Sequence, residues 1–216
     1  MRDIPVFTTE FGVSHLIFKE VPYRGIAYIK VLDVQPGALE EHLRECRSFC
    51  RMAGAERIFA SGHPDLERWP LHTKVLELRG EAWGDRDKLR SLFPVTENTV
   101  SRWRQVYNER MRNVDNASTL ETRDEAGILA SKGAYFVHEN GDLLGIGWLE
   151  DTKLLAVASV KKGAGERVMH SLMSLVEGAS VTLEVASTNL SAIRLYEKLG
   201  FLTVGERSGW YDVSNI

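Results

Sequence analysis

The sequence predicts a soluble α/β protein with a mixed sheet, because strand-like and helical hydrophobic patterns alternate along its 216 residues. In the C-terminal part a strand, a glycine-containing loop, a helix, a strand and a second helix follow one another. This order predicts at least one crossover in a partly parallel sheet. The composition, with 44% hydrophobic and 26% charged residues, suits a folded protein with a sizeable core.

The N-terminal part shows strand and helix patterns in turn. In chain order we predict two strands within 5–20, a strand over 25–34, a helix over about 37–53, and strands at 56–61 and 74–78.

The C-terminal part begins with a helix capped by Asn98 or Thr99 that reaches Met111. The later predicted elements are a helix over about 119–132 that ends at Gly133, a hairpin at Asn140-Gly141, a strand over 154–160, a helix, a strand at 181–186, and the helix of SAIRLYEKLGF. Only ten residues follow Glu206, so we expect the last strand to come from a tight hairpin around Ser208-Gly209.

Bulk properties exclude several classes of function. The net charge of −3 gives no basic field for nucleic acid. No apolar segment has the length of a membrane span or of a signal peptide. The two cysteines, Cys46 and Cys50, lie four apart in a helical pattern. We expect them to be semi-buried, reduced side chains of a cytoplasmic protein, and we expect no metal site.

An internal repeat relates the two parts. Setting Val34 against Val160 fixes an offset of 126, since 160 − 34 = 126. About eleven of fifty positions then match, where ordinary composition gives roughly three. Two unrelated segments of similar composition remain the alternative. The charged stretch 79–88 suggests a boundary, which gives domains at 1–85 and 86–216.

The segment TLEVASTNLSAIRLYEKLGF, residues 182–201, carries polar residues that indicate a candidate functional site. In the strand, Glu184 lies on the face opposite Val181, Leu183 and Val185. Such a carboxylate is either a member of an ordinary ion pair, or at an edge position, or a general base. Tyr196, on the following helix, is either a core aromatic residue or a proton donor.

Two further features accompany this segment. Ser187, Thr188 and Asn189 can each cap the helix that follows them. Upstream, the loop of VKKGAGERV contains Gly163 and Gly165 at the start of a helix. Backbone amides at such a start can bind phosphate, although short glycine turns are common without that role.

Together the KKGAGER loop, the LEVASTN strand and the SAIRLYEKLGF helix resemble the Gcn5-related N-acetyltransferase (GNAT) superfamily over about residues 90–210. NLSAIRLYEKLGF is especially similar to the ribosomal-protein alanine N-acetyltransferases. The resemblance implies the GNAT acyl-CoA N-acyltransferase fold, with acetyl-CoA as donor, a primary amine as acceptor and no metal. An unidentified small molecule or protein N-terminus would be the acceptor, and a homodimer is compatible with the sequence.

The same resemblance implies roles for particular residues. Glu184 would be the base and Tyr196 the acid, twelve residues apart as in those enzymes. The splayed strand that carries Val157 and Ser159 would pair with pantetheine, and Asn189 would hydrogen-bond it. The pyrophosphate would lie on the loop amides of Lys162, Gly163, Ala164, Gly165, Glu166 and Arg167.

The sequence departs from the family pattern at the loop. Lys162 replaces the usual Gln or Arg, and Arg167 replaces a small residue, so Arg167 either clashes with the pyrophosphate or swings outward and adds a phosphate contact. The N-terminal part would be a degenerate GNAT-like half in tandem, with Ile58, His63 and Pro70 at the positions of Glu184, Asn189 and Tyr196. It could wall an acceptor groove lined by His63, Trp69 and His72, although ordinary loop packing is the favoured explanation of these three residues.

Three functions are compatible with these residues. The first is an acetyl-CoA-dependent N-acetyltransferase. The second is a module that binds acyl-CoA or a protein without turnover, and the third is transfer of a longer acyl group.

Overall fold

The computed structural model describes residues 4–83, 91–115, 117–176 and 178–216. The chain forms two compact units. The first comprises Met1–Val75 and Glu206–Ile216, and the second comprises Leu76–Gly205. The predicted boundary between residues 85 and 86 lies outside the described residues.

The first unit contains a sheet in which only β3 and β4 run parallel among the described strand pairs. Its elements are β1 (Val6–Thr8), β2 (Gly12–Ile17), α1 (Val21–Arg24), β3 (Ile26–Val34), α2 (Leu39–Met52), β4 (Arg57–Ser61), a 3₁₀ helix (Pro64–Arg68), the start of β5 (Leu71–Glu81) and the end of β11 (Leu202–Asp212). The strands lie in the order β1-β2-β3-β4-β11. The predicted N-terminal elements therefore form where the hydrophobic pattern placed them.

Helix α2 covers one face of this sheet. Its apolar stripe, which includes Leu39, Leu43, Cys46 and Cys50, is buried in one cluster with residues of β2, β3 and β4. Both cysteines are free, and both are fully buried, where the sequence predicts semi-buried side chains. Burial raises the pKa of each thiol to about 12, so neither thiol is a ready nucleophile at neutral pH.

The C-terminal residues complete the first unit. Within β11, Tyr211 pairs with Ala60 of β4 in an antiparallel register. Val213 is fully buried in the same core as α2. The Ser214 hydroxyl accepts a hydrogen bond of 2.9 Å from the Ile58 amide. These contacts join the end of the described chain to its first third.

A buried polar group lies on the inner face of α2. The His42 side chain is fully buried, with Nδ1 2.8 Å from the Thr9 hydroxyl and Nε2 2.7 Å from the Ser14 hydroxyl. A neutral imidazole can donate to one hydroxyl and accept from the other. Burial lowers the pKa of His42 below its ordinary value of 6.5, because desolvation disfavours the charged ring.

We therefore expect stability to depend on pH through His42. Below pH 6.5 the unfolded chain binds a proton at this position before the folded chain does. The free energy of unfolding should fall as the pH is lowered from there toward the folded pKa, by at most about 1.4 kcal/mol per pH unit. Urea unfolding of the wild type and of His42→Gln, followed from pH 7.5 to 5, measures this. An equal slope in both proteins would exclude His42 as the source.

The second unit is built on a sheet in the order β5-β10-β9-β8-β7-β6. Its elements are the rest of β5, β6 (Leu92–Pro94), α3 (Val100–Met111), a 3₁₀ helix (Thr122–Asp124), α4 (Glu125–Ser131), β7 (Ala134–Glu139), β8 (Asp142–Glu150), β9 (Lys153–Ser159), α5 (Gly165–Met173), a 3₁₀ turn (Ser174–Val176), β10 (Ser180–Ala186), α6 (Leu190–Lys198) and the start of β11. Strands β9 and β10 are parallel, which agrees with the predicted crossover. The neighbouring pairs β6–β7, β7–β8 and β8–β9 are antiparallel, so the sheet is mixed.

Two apolar clusters form the core of the second unit. Helix α5 contributes Val168, Met169 and Leu172 to one cluster, which β10 and Tyr196 of α6 join. Helices α3 and α4 contribute to a separate cluster around Trp103, which is fully buried. Helix α5 is thus held by its apolar stripe, and the loop of residues 160–164 joins the end of β9 to its N-terminus.

Two local predictions are wrong. Strand β11 runs without a break from Leu202 to Asp212, so no tight hairpin forms at Ser208-Gly209. One long strand keeps backbone hydrogen bonds that a hairpin would interrupt. Gly133 is also not the left-handed residue that ends α4, because Lys132 takes that position with φ of 55°.

Among the described helices, none is long and apolar enough to span a membrane.

Candidate active site

Strands β9 and β10, which lie wholly within the described residues, pair over only part of their length. The parallel register joins Thr182 to Lys153 and Leu183 to Leu154 and then stops. β9 nevertheless continues to Ser159, and β10 continues to Ala186. The carboxyl-terminal halves of the two strands therefore diverge and leave an opening between them.

Val157 and Ser159 lie on the diverging half of β9. Both are half-buried, and both pair with β8 on one side, Val157 with Gly147 and Ser159 with Gly145. On the side toward β10, this half of the strand has no strand partner in the described part of the chain. Backbone groups on that side can pair with another extended chain through main-chain hydrogen bonds.

The loop between β9 and α5 presents backbone amides. Gly163 has φ of +77°, and a Cβ atom added there would meet no atom within 4 Å, so this position is left-handed and open. Ala164 is fully buried and anchors the turn, with its amide donating to the Lys161 carbonyl at 3.1 Å. The first amides of α5, beginning at Gly165, have no partner within the helix, and they carry its positive dipole end.

Ion pairs surround this loop. Lys161 Nζ lies 2.5 Å from Asp142 Oδ2, and the Arg167 guanidinium contacts the Glu139 carboxylate. Asp142 and Glu139 flank the turn between β7 and β8, so that hairpin engages both basic residues. Lys162 has no ion pair among the described residues. The structure therefore leaves Lys162 as the uncompensated cation of the loop, and it directs Arg167 to Glu139.

The start of α5 also contacts α6. Lys198 Nζ lies 2.5 Å from Glu166 Oε2, and this hydrogen bond lowers the pKa of the Glu166 carboxyl. A Cβ atom added at Gly165 would lie 2.9 Å from Leu195 Cδ2, so the two helices approach closely at this glycine. At the start of the loop, Arg110 of α3 donates a hydrogen bond to the Val160 carbonyl at 2.7 Å. The loop is thereby held from α3, α6 and the β7–β8 hairpin.

Asn189 begins α6 as its N-cap. Its Oδ1 accepts from the Ala192 amide at 3.2 Å and from the Ser191 hydroxyl at 3.1 Å. The side-chain nitrogen of Asn189 makes no hydrogen bond within the described chain. Helix capping therefore explains the role of the Asn189 side-chain oxygen. The side-chain NH₂ group of Asn189 remains able to donate a hydrogen bond near the carboxyl end of β10.

Glu184 is the first residue of β10 beyond the last pair with β9. Its side chain is 40% exposed, and Oε1 lies 2.8 Å from the Nζ atom of Lys153. The face prediction is correct, since Val181, Leu183 and Val185 are buried on the other side. In this structure Glu184 forms a cross-strand ion pair at the point where the strands diverge.

Tyr196 lies in the core of the second unit. The residue is 7% exposed, and its ring packs against Phe201 with centroids 6.0 Å apart. Its hydroxyl makes no hydrogen bond with any described residue. Burial raises the pKa of Tyr196 above its ordinary value of 10.0, which keeps the phenol protonated at physiological pH. The phenol can therefore donate a hydrogen bond, and its raised pKa makes it a weaker proton donor than an exposed tyrosine.

Sequence reasoning missed four residues that contribute to this region. Lys153 pairs with Glu184, the acidic residues Glu139 and Asp142 engage the loop, and Arg110 holds the loop carbonyl. One signal was available for the acidic pair, since both residues flank the Asn-Gly turn that the sequence predicts. The described residues contain no cluster of three or more His, Cys, Asp and Glu side chains that could hold a metal ion.

Comparison with known proteins gives a short sequence match. No protein-family model matches the chain. Over 53 residues it is 40% identical to the N-alpha-acetyltransferase RimI of Mycobacterium tuberculosis. The match covers 24% of this chain and 34% of that protein, so the chain matches about a third of this relative's length.

Solved structures are similar over much more of the chain. A GCN5-related N-acetyltransferase from Kribbella flavida has a TM-score of 0.58 at 14% identity, covering 99% of this chain and 91% of that chain. A second, from Sphaerobacter thermophilus, has a TM-score of 0.56 at 10% identity, covering 93% and 76%. At these identities the likeness concerns the fold, and it confirms the predicted fold class.

Proposed function

We propose, from the premise that this chain has the fold of the GCN5-related N-acetyltransferases, that it transfers the acetyl group of acetyl-CoA to a primary amine. The observation that carries the proposal is the opening between β9 and β10, next to the free amides at the start of α5. An unpaired strand edge suits an extended amide-containing arm, and a helix N-terminus suits phosphate.

The residues that would hold acetyl-CoA lie along that opening. Val157 and Ser159 offer the free edge of β9 to pantetheine, and the Asn189 amide nitrogen offers a further donor. The pyrophosphate would lie on the loop formed by Lys162, Gly163, Ala164, Gly165, Glu166 and Arg167. Since Glu139 engages the Arg167 side chain, Arg167 need not occupy the space above the amides.

The proposed chemistry is direct attack in a ternary complex. Glu184, directly or through a water, takes a proton from the ammonium form of the acceptor. The neutral nitrogen then attacks the thioester carbonyl, the N–C bond forms and the C–S bond breaks. As the C–S bond breaks, the nitrogen loses its second proton to solvent, while Tyr196 donates a proton to the leaving thiolate and recovers one from solvent. A primary amine has a pKa of about 8 to 10.4, so a base is needed near neutral pH.

One observation favours a second candidate, a module that binds acyl-CoA without turnover. Glu184 is engaged by Lys153 at 2.8 Å and is substantially exposed, which differs from a desolvated general base. In a binding module this ion pair would simply join the two strands at their point of divergence.

We further propose that the first unit is a GNAT-like half without CoA chemistry. Helix α2 begins at Leu39 and α5 at Gly165, and 165 − 39 gives the repeat offset of 126. His63 caps the 3₁₀ helix of the first unit, as Asn189 caps α6. All five residues of β4 pair with β3, so the opening of the second unit has no counterpart between these two described strands.

Acetyl-CoA binding tests the proposal. Saturating acetyl-CoA should raise the melting temperature, since a ligand at 100 times its Kd stabilises the folded state by about 2.7 kcal/mol. CoA release across a panel of amines and N-terminal peptides then reports turnover. Release of CoA with an amine supports the enzyme, whereas a thermal shift with no release from any amine supports the binding module.

Two lysine variants provide a matched control for this titration. Lys162→Gln removes the uncompensated charge of the loop and should weaken acetyl-CoA binding about tenfold, or about 1.4 kcal/mol. Lys161→Gln removes a charge that Asp142 already balances, so it should change the affinity less. The absence of a thermal shift at millimolar acetyl-CoA in the wild type would contradict both candidate functions.

A further inference from the structure

The first unit contains a cleft of about 390 Å³. It is lined by Lys30, Ser61, Gly62, His63, Pro64, Glu67, Arg207, Ser208, Gly209, Trp210 and Tyr211. All of these residues belong to the first unit, so the cleft does not include the candidate acetyl-CoA site. A volume of this size lies within the range of about 300–1,000 Å³ that small-molecule sites occupy.

The cleft lies at the carboxyl end of β4, where its parallel pairing with β3 stops, and α/β sheets commonly bind ligands at the carboxyl ends of parallel strands. The register of these strands ends with Lys30 beside Ser61. At the next residue the chain turns through Gly62, which has φ of +100°, and a Cβ atom added there would lie 2.4 Å from the Val31 carbonyl oxygen. This tight turn brings His63 to the cleft and starts the 3₁₀ helix that carries Glu67.

The polar lining consists mainly of hydrogen-bond donors. The Lys30 ammonium is exposed and has no ion pair within the described residues. His63 Nδ1 accepts from the Asp65 amide at 3.2 Å, which assigns the proton of the neutral ring to Nε2. Arg207 adds a second cationic side chain, while Glu67 is the single acidic residue of the lining. A donor-rich site with excess positive charge favours an anionic ligand.

Aromatic residues complete the lining. Trp210 packs edge-on against Tyr28 with ring centroids 5.1 Å apart, which fixes its indole at the cleft. Tyr211 is held by strand pairing with Ala60. Rigid aromatic walls beside cationic donors favour a ligand that has a planar or apolar body and one anionic group. We propose that this cleft binds a small organic carboxylate.

Calorimetric titration of the full chain with sodium benzoate and with benzamide tests this proposal. The two probes share a ring and differ in charge. Benzoate should bind with one-to-one stoichiometry and at least tenfold more tightly than benzamide. Inorganic phosphate, which lacks the ring, should compete weakly. Equal binding of benzoate and benzamide, displacement of benzoate by an equal concentration of phosphate, or no benzoate binding up to 10 mM would each overturn the proposal.

Variants locate the site. Lys30→Gln should weaken benzoate binding about tenfold, and Arg207→Gln provides a second variant on the opposite segment. Arg47→Gln, which removes one positive charge from α2 of the same unit outside the cleft, should leave the affinity unchanged. If Lys30→Gln and Arg207→Gln both bind benzoate as the wild type does, the carboxylate site is not this cleft.

Discussion

Replacing Tyr196 with phenylalanine is expected to lower kcat for acetyl transfer by about 100-fold. A positioned general acid typically contributes 10²–10⁴-fold, and the phenylalanine variant lacks the proton that the leaving thiolate requires. Burial raises the pKa of Tyr196, which keeps the phenol protonated at neutral pH but makes it a weaker acid, so we expect an effect at the lower end of this range. The KM for acetyl-CoA should change little, since the proposed binding contacts are elsewhere.

The stability of this variant separates catalysis from folding. The Tyr196 hydroxyl makes no hydrogen bond to the described residues, so removing it leaves no buried partner unsatisfied. The melting temperature of Tyr196→Phe should therefore equal or exceed that of the wild type. Tyr135→Phe, which removes a hydroxyl from a half-buried tyrosine of the same unit, is the matched control and should keep kcat within about twofold. An unchanged kcat in Tyr196→Phe would remove this residue as the acid.

The second large effect concerns Gly133, between α4 and β7. A Cβ atom added at this buried residue would lie 1.8 Å from the carbonyl oxygen of Leu149, and the Leu149 amide donates back to the Gly133 carbonyl at 2.9 Å. The backbone at Gly133 and the backbone at Leu149 cannot move apart without breaking hydrogen bonds between β7 and β8. We expect Gly133→Ala to reduce the free energy of unfolding by about 4 kcal/mol, at the upper end of single-residue effects.

Gly127→Ala is the control for this substitution. Gly127 is exposed in the middle of α4, and a Cβ atom added there meets no atom within 4 Å. Alanine has a higher helix propensity, so Gly127→Ala should stabilise the protein by about 0.5–1 kcal/mol. Urea unfolding of both variants measures the difference. A loss below 1 kcal/mol in Gly133→Ala would show that the backbone relaxes at this contact.

The sequence predicts most elements because its hydrophobic periods are clear. The strand with Leu183 and Val185 and the helix with Tyr196 form as expected, and Glu184 points to the predicted face. The partner of Glu184 could not be predicted, because Lys153 lies 31 residues away and meets it only through the register of β9 and β10. Periodicity fixes the face of a residue but leaves strand register undetermined.

The orientation of the Arg167 side chain also depends on a residue that is distant in sequence. The sequence left two orientations open, a clash above the loop or an outward turn. The choice depends on Glu139, which the Asn-Gly turn brings near the loop in three dimensions. The continuous β11 was missed because Ser208 and Gly209 are typical of turns, whereas both residues lie inside the extended strand that pairs with β4 at Tyr211 and Asp212.

The position of residues 206–216 in the first unit has a consequence for protein synthesis. Residues 1–75 leave the ribosome before residues 206–216, so their core lacks Val213 and the edge of β4 lacks its partner until residues 206–216 have emerged. The second unit is complete in sequence before then. During translation the nascent first unit therefore exposes an unpaired strand edge, which is the kind of surface that chaperones bind and that aggregation uses.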